Sequence, residues 1–375
     1  MKIAVNTRLL LKNKLEGIGW FTYETLRRIT AQHKEHQFYF IFDRKYDESF
    51  IFSDNITPLV LPPQARHPVL YYLWFEKSMP RLLKKLQPDL FFSPDGYLSL
   101  ATPVKSMNVF HDLNFEHYPD DLPYPERTFY RHYFPLYAQK AHRIATVSEF
   151  SKRDIIDQYH INPDKIDVVY NGANERYTPI LESEKVLVRM KYTNGAPYFV
   201  FIGALHPRKN LTNLFRAYDL FKKETKNDIK LLIVGQKKWW TRQIKEAYEG
   251  MDHQDDVIFC GRLDPVELNR VISSALALTY VSYFEGFGIP ILEAFYCETP
   301  VITSNVTSMP EVAGDAAILV DPFSVKSICH GMIKIATEPE LSTIMNEKAR
   351  LQRQQFSWQK SADRLWASME KALYS

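Results

Sequence analysis

A chain of 375 residues, at about 150 residues per domain, predicts two large domains rather than one core. With 45% hydrophobic and 24% charged residues it has the make-up of a soluble globular enzyme, which excludes disordered, collagen-like and coiled-coil chains. Its 47 Lys and Arg against 44 Asp and Glu leave +3, too small a surplus for polyelectrolyte binding to be the chain's main business, so no nucleic acid is expected as a partner.

Cys260, Cys297 and Cys329 fit neither a disulfide framework nor zinc spacing and read as reduced core thiols. The opening run Met1 to Asn6 is too short for a signal peptide, and no stretch approaches the roughly 18 apolar residues of a spanning helix. A cytoplasmic location is therefore expected.

In chain order, Lys2 to Val5 reads as a short strand, followed by a loop holding Gly17 and Gly19 and a helix over Trp20 to Ile29. Gln37 to Phe42, Asp89 to Phe92 and Ser106 to Phe110 are further strands, and Leu73 to Leu86 is a helix with an apolar stripe. Ala141 to Val147 is a strand, Ser148 caps the helix after it, and Ile166 to Tyr170 closes the first half. The Asn171-Gly172 turn and the polar stretch Asn174 to Glu184, with Pro179, mark a boundary between domains 1–173 and 174–356. The second half restarts with the strand Tyr198 to Ile202 and the helix Leu211 to Glu224. Strands follow at Lys230 to Val234, Val257 to Phe259, Ala275 to Val281 and Pro300 to Thr303. Ser357 to Leu373 is an amphipathic helix with Trp358, Leu365, Trp366 and Met369 on one face. This alternation predicts an α/β protein of two domains facing across a cleft, each a parallel sheet with helices on both faces. Ligand sites in such sheets lie beyond the carboxyl ends of the strands.

The strand-to-helix loops should therefore carry the chemistry. Ser282 to Glu293 reads Ser-Tyr-Phe-Glu-Gly-Phe-Gly-Ile-Pro-Ile-Leu-Glu, with Pro290 suited to a first helical turn. Gly286, Phe287, Gly288 and Ile289 thus lead into a helix N-terminus, where backbone N–H groups favour an anion. Glu285 and Glu293 can accept hydrogen bonds from the vicinal hydroxyls of a sugar and a ribose; two solvated glutamates are the plainer reading. After Ile202 the chain runs Gly203-Ala204-Leu205-His206-Pro207-Arg208-Lys209-Asn210. Arg208 and Lys209 can neutralise a diphosphate, an exposed basic turn being the alternative, and His206 reads as structural. His111 and Asp112, just past a strand, can contact a transferred group or act as acid and base with Asp112 orienting the ring, or else form an ordinary loop pair. No Gly-x-Ser-x-Gly elbow, Walker loop, His-Glu-x-x-His or carboxylate-rich metal loop occurs.

Glu285 and Glu293, with Gly286-Phe287-Gly288 between them, resemble the signature of the retaining glycosyltransferases of family four, which have the GT-B fold. The similarity extends over nearly the whole chain. It includes Gly17-Ile18-Gly19, His111-Asp112, Thr146 to Ser151, Asn171-Gly172, Pro207 to Asn210, Gly261-Arg262-Leu263 and Met309-Pro310-Glu311-Val312. Singly these are weak signals; as an ordered set they are a strong one.

The resemblance implies a nucleotide-diphosphate sugar bound mainly by the second domain. Glu293 would take the ribose hydroxyls, and Arg208 and Lys209 the diphosphate beside Gly203. Glu285 and the Gly286 to Gly288 amides would take the donor sugar, and the segment around Arg262 and Leu263 the base. From the first domain Gly17 or Gly19 would approach the phosphates and His111 the sugar, while the final helix, 357–375, would cross back to that domain. Ala204 departs from the family, many of whose members carry a basic residue there, so more of the charge falls to Arg208 and Lys209. The reaction implied is transfer of a hexose, with retention, from GDP-mannose or a UDP-hexose to a polysaccharide-precursor or lipid-linked glycan. It would need no cofactor and no metal, because the basic pair offsets charge on the leaving diphosphate. A nucleotide-sugar epimerase or hydrolase on the same fold, or a non-catalytic nucleotide-sugar-binding protein, are the competing functions.

The chain is also rich in Tyr (22) and Phe (24), and two segments of the first half interleave such rings with cations. Arg66 to Lys85 holds Tyr71, Tyr72, Trp74 and Phe75 with Lys77, Arg81, Lys84 and Lys85. Tyr124 to Arg143 holds Phe129, Tyr130, Tyr133, Phe134 and Tyr137 with Arg127, Arg131, Lys140 and Arg143. Such segments suit the headgroup layer of an anionic membrane, which would make the protein peripheral at the inner membrane face; the same helical spacing also describes a buried core face.

Overall fold

Leu90–Ser93 and Tyr198–Ile202 are buried at every residue, and such near-continuous apolar runs form the strands of two parallel sheets. The structure is a computed structural model and describes residues 1–374 apart from 175 and 238. Its chain divides into two units, Met1–Gly172 with Ser357–Ser375, and Ala173–Phe356.

The first unit holds β1 (Lys2–Asn6), β2 (Gln37–Phe42), β3 (Ile56–Val60), β4 (Leu90–Ser93), β5 (Ser106–Phe110), β6 (Arg143–Thr146) and β7 (Ile166–Val168), in the order β3-β2-β1-β4-β5-β6-β7. The second holds β8 (Tyr198–Ile202), β9 (Lys230–Val234), β10 (Val257–Gly261), β11 (Ala277–Tyr280), β12 (Val301–Ser304) and β13 (Ile318–Val320), in the order β10-β9-β8-β11-β12-β13. Each sheet is built outward from its first strand and then continues on that strand's other side. Strand order therefore reverses between β1 and β4 and between β8 and β11, and a crevice for a ligand opens at such a switch point. The α/β architecture of two Rossmann-like sheets is the one expected, and the terminal segment belongs with the first sheet.

Several local details differ from expectation. β3 and β13 are additional strands; Pro58 cannot donate to a ladder and is tolerated in β3 because β3 is an edge. Gly17 and Gly19 lie inside the helix Gly17–Gln32, not in a loop ahead of it, since Trp20 N donates to Glu16 O and closes the first turn over them. The helix expected from Leu73 starts earlier, with Pro68 in its first turn, and reaches Leu86 through a π-helical turn at Trp74–Ser78.

The aromatic excess is spent largely on the core of the first unit. Trp74, Phe75, Phe129, Phe134 and Tyr137 are all buried there. Tyr97 sits at the hub, with ring centroids 5.0 Å from Phe75, 5.2 Å from Tyr71 and 5.2 Å from Phe134. In the helix Tyr124–Lys140 two of the basic residues are also engaged, Arg127 with Asp120 and Arg131 with Glu116. That second segment is thus core packing on one side and ion pairs on the other. The three cysteines form no disulfide. The final helix, Trp358–Tyr374, packs on Gly17–Gln32, and Ser361 Oγ donates to Tyr170 O. Gly172 permits this approach, because a Cβ there would lie 2.4 Å from Trp358 N. Among the described residues no helix is long and apolar enough to cross a membrane.

Candidate active site

At the β8/β11 switch point, the loop leaving β8 and the loop leaving β11 meet through charge. Glu285 is only 5% exposed, and each of its carboxylate oxygens takes one cation: Oε2 accepts from Arg208 Nη1 at 2.5 Å and Oε1 from Lys209 Nζ at 2.5 Å. Burial pushes the Glu285 carboxyl up, but the two cations outweigh it and hold it at about 2. It is therefore ionised at neutral pH, and the three groups together carry one positive charge. Lys209 Nζ also donates to the Tyr280 hydroxyl at 2.6 Å and lies 4.7 Å from the centre of that ring. A buried amino group with an anion, a hydroxyl and a π-face around it is held to a single position.

The backbone beneath is fixed just as closely. Tyr283 N donates to Arg208 O at 3.0 Å, and Asn210 Nδ2 donates to Val281 O at 3.0 Å and Pro322 O at 2.7 Å, so one amide ties together the ends of β8, β11 and β13. Gly203 leads into this loop from β8. The end of β9 presses on it: a Cβ on Gly235 would stand 1.9 Å from Gly203 O, so only glycine fits. After β11, the Ser308 hydroxyl lies 2.9 Å from Glu285 O and 3.0 Å from Phe287 O. Gly286 precedes Phe287, and Gly288, at φ +103°, turns the chain into the helix Ile289–Tyr296. Asn210 and Tyr280 carry no role in the sequence reading. Asn210 had a signal, its place after Arg208-Lys209 where a left-handed residue ends the short turn; Tyr280, inside a strand pattern, had none.

Glu293 lies one turn into that helix and stands apart from the cation cluster, accepting from the Tyr177 hydroxyl. Burial pushes its carboxyl up to about 7, against the opposing pull of that bond. Tyr177, itself buried, comes from the polar connecting stretch and is not foreseeable from pattern. Arg262 and Leu263 follow β10, an edge strand separated from β8 by β9, and Arg262 is exposed; the structure does not draw them into the Glu285 cluster.

In the first unit, His111 follows β5 and its Nε2–H donates to Pro94 O at 2.8 Å, leaving Nδ1 as an acceptor. Burial lowers its pKa more than the Pro94 contact raises it, so the ring is neutral at physiological pH. Asp112 does not orient it, contrary to expectation. Its Oδ1 accepts from Asn114 N at 3.1 Å, so Asp112 closes the turn that leads into the next helix and Pro94 sets the imidazole. At the β1/β4 switch lies a polar cluster with no counterpart in the sequence reading. Arg8 Nε donates to Asp95 Oδ2 at 2.6 Å, Asn6 Nδ2 donates to Ser93 Oγ and Asp95 Oδ1 at 2.9 Å each, and Arg8 stacks 4.4 Å from the Tyr97 ring. The only signal was polar residues immediately past two strands. Of the two glycines, Gly17 leaves open space where a side chain would be, whereas Gly19 is packed, its Cβ position 3.1 Å from Leu9 O and from Leu15 Cδ2.

Residues 15–177 match the family described as Glycosyltransferase Family 4, and residues 189–352 match Glycosyl transferases group 1. The chain is a family-four glycosyltransferase. This glycosyltransferase is 27% identical to the O-antigen chain mannosyltransferase B of Escherichia coli over 375 residues, 96% of this chain and 97% of the relative. Its fold matches that of WaaG, a glycosyltransferase involved in lipopolysaccharide biosynthesis, at a TM-score of 0.75 with 16% identity over 97% of this chain and 98% of that one. It also matches Anabaena Alr3699/HepE in complex with UDP-glucose, at a TM-score of 0.75 with 14% identity over 99% of both chains. The fold of this glycosyltransferase is thus GT-B, and its activity is glycosyl transfer.

Proposed function

We propose that the protein moves a mannosyl group, with retention of configuration, from GDP-mannose to a polysaccharide precursor or a lipid-linked glycan. The observation that carries the donor half is the Arg208–Lys209–Glu285 cluster at the β8/β11 switch. Loss of the leaving nucleotide builds negative charge on a diphosphate. A rigid basic pair, with net charge +1 once Glu285 is counted, stabilises that charge without reorganising, because Glu285, Tyr280 and Asn210 already hold it. No divalent metal is needed in this reading. Glu293 accepts from the ribose hydroxyls, and the Gly286 to Gly288 segment with Glu285 faces the sugar; in the first unit, His111 keeps its Nδ1 lone pair available to a hydroxyl. Retention follows from same-face attack, with the departing phosphate taking the acceptor proton.

The mannose donor and the glycan acceptor are supported by the full-length similarity to an O-antigen chain mannosyltransferase. The HepE complex makes a UDP-hexose the second reading of the donor. A panel separates them: GDP should raise the melting temperature more than UDP, and label from GDP-mannose should reach a lipid-linked glycan with an unchanged anomeric configuration. Transfer from UDP-hexoses alone, or inversion, would overturn the reading.

A peripheral position at an anionic membrane is part of the proposal, now resting on the first segment only. In the helical run from Pro68 to Leu86, Val69, Tyr72 and Leu73 are exposed together with Lys77, Arg81, Lys84 and Lys85, a mixed apolar and basic face suited to headgroups.

A further inference from the structure

The turn between the helix Gly17–Gln32 and β2 reads His33-Lys34-Glu35-His36, and glycosyl transfer gives it no task. Its three ligand-type side chains converge. Glu35 Oε1 is 3.7 Å from His33 Nδ1 and 3.3 Å from His36 Nε2, and one atom from each residue lies within 4.8 Å of the other two. A tetrahedral Zn²⁺ with bonds of about 2.0–2.1 Å sets its ligands about 3.4 Å apart. Two of the three edges already have about that length, and the third lies within 4.8 Å.

The turn that carries these ligands is held from both sides. Asn55 Nδ2 lies 3.1 Å from Thr30 O, 3.1 Å from His33 O and 3.0 Å from His36 O, which fixes the backbone on which both histidines stand. The indole of Trp366, on the final helix, stacks on His33 with centroids 3.8 Å apart and covers His36 at 5.1 Å. The ring planes are thereby set while Glu35 stays exposed and free to swing onto an ion. His36 Nδ1 faces the Met1 amino group at 3.4 Å, so Nε2 is the nitrogen turned towards Glu35. Two imidazoles and one carboxylate, with a fourth position open to water, form a donor set for a borderline divalent cation rather than for Mg²⁺ or Ca²⁺, which take oxygen ligands.

We propose that His33, Glu35 and His36 form a binding site for a transition-metal cation of the Zn²⁺ class. The bound ion clips the first helix to β2 beneath the Trp366 ring of the final helix.

The test titrates the full-length protein with Zn²⁺ against a chromophoric chelator and, separately, follows tryptophan emission on adding Cu²⁺. One Zn²⁺ should bind per chain, and His33→Gln or His36→Gln should weaken it by at least about tenfold, the scale seen even for partners one shell further out. Glu35→Gln, on an exposed side chain, should weaken it as well and keeps the test independent of folding. Cu²⁺ should quench the share of emission that Trp366→Phe removes. Wild-type protein and the His33→Gln/His36→Gln double variant taking up Zn²⁺ equally would overturn the site, as would quenching by Cu²⁺ undiminished in Trp366→Phe.

Discussion

Replacing Glu293 by Gln should make the protein more stable and less active, and the structure sets the size of the gain. Its carboxyl titrates at about 7 in the folded chain against 4.5 for a free Glu, a difference of about 2.5 pH units. Each unit is worth about 1.4 kcal/mol, so holding Glu293 ionised above pH 7 costs the fold up to about 3.5 kcal/mol. The sign follows from proton counting. Between pH 4.5 and 7 the folded state binds the proton and the unfolded state does not, so this residue's contribution is fully favourable below pH 4.5 and fades as pH rises through 7. Gln has the same shape, accepts from Tyr177 in the same way and carries no charge to desolvate. At about 2–4 °C per kcal/mol for a unit of this size, Glu293→Gln should raise the melting temperature by about 7–14 °C at pH 8 and leave it nearly unchanged at pH 4.5.

The same substitution removes the anionic acceptor offered to the ribose, so the KM for donor should rise. In the wild type, donor affinity should fall about tenfold per pH unit below 7, because only the ionised carboxyl accepts from both hydroxyls. Differential scanning calorimetry across pH 4.5–8.5, paired with donor titrations, reads both effects. A variant with the wild-type dependence of melting temperature on pH would refute the reasoning at its first step. A gain in stability without loss of donor binding would refute the ribose assignment alone.

Lys209→Ala should lower turnover at least tenfold, about 1.4 kcal/mol in the barrier, while the chain stays folded, and undiminished activity in folded protein would remove the phosphate role. A chelator should leave transfer intact, whereas loss of activity restored by Mg²⁺ or Mn²⁺ would show that the basic pair is not sufficient. Liposome co-sedimentation should need anionic lipid, weaken as salt rises and fall in Lys84→Glu/Lys85→Glu, and equal partitioning into neutral vesicles would rule out the charged face.

What could be read from the sequence divides along a physical line. Elements and loops were legible wherever a local rule fixes them. Buried parallel strands announce themselves as apolar runs, Pro290 marks a helix start, and Arg208, Lys209 and Glu285 lie in loops that such strands must place at one edge of a sheet. What pattern could not supply was each partner reached across the sheet. Tyr280 under Lys209, Asn210 on Val281 and Pro322, Tyr177 on Glu293 and Asp95 on Arg8 lie 71, 71, 112, 116 and 87 positions away along the chain. Asp112 shows the converse: adjacency to His111 suggested a pair, yet the carboxylate reaches the nearer backbone N–H of Asn114.

The aromatic segments were ambiguous for a different reason. A helix that faces a core and a helix that faces lipid bear the same stripe, and only the fate of the cations distinguishes them. In Tyr124–Lys140 Arg127 and Arg131 are bound to Asp120 and Glu116, and Phe129, Phe134 and Tyr137 are inside, so most of that stripe is spent on the fold. In the run from Pro68 to Leu86 the inward rings, Trp74 and Phe75, are just as buried, but Val69, Tyr72 and Leu73 remain outside with four cations. The proposed contact with an anionic headgroup layer rests on that second stripe. Apolar side chains left in water beside like charges cost free energy twice, through exposure and through repulsion, and both costs vanish against an anionic headgroup layer.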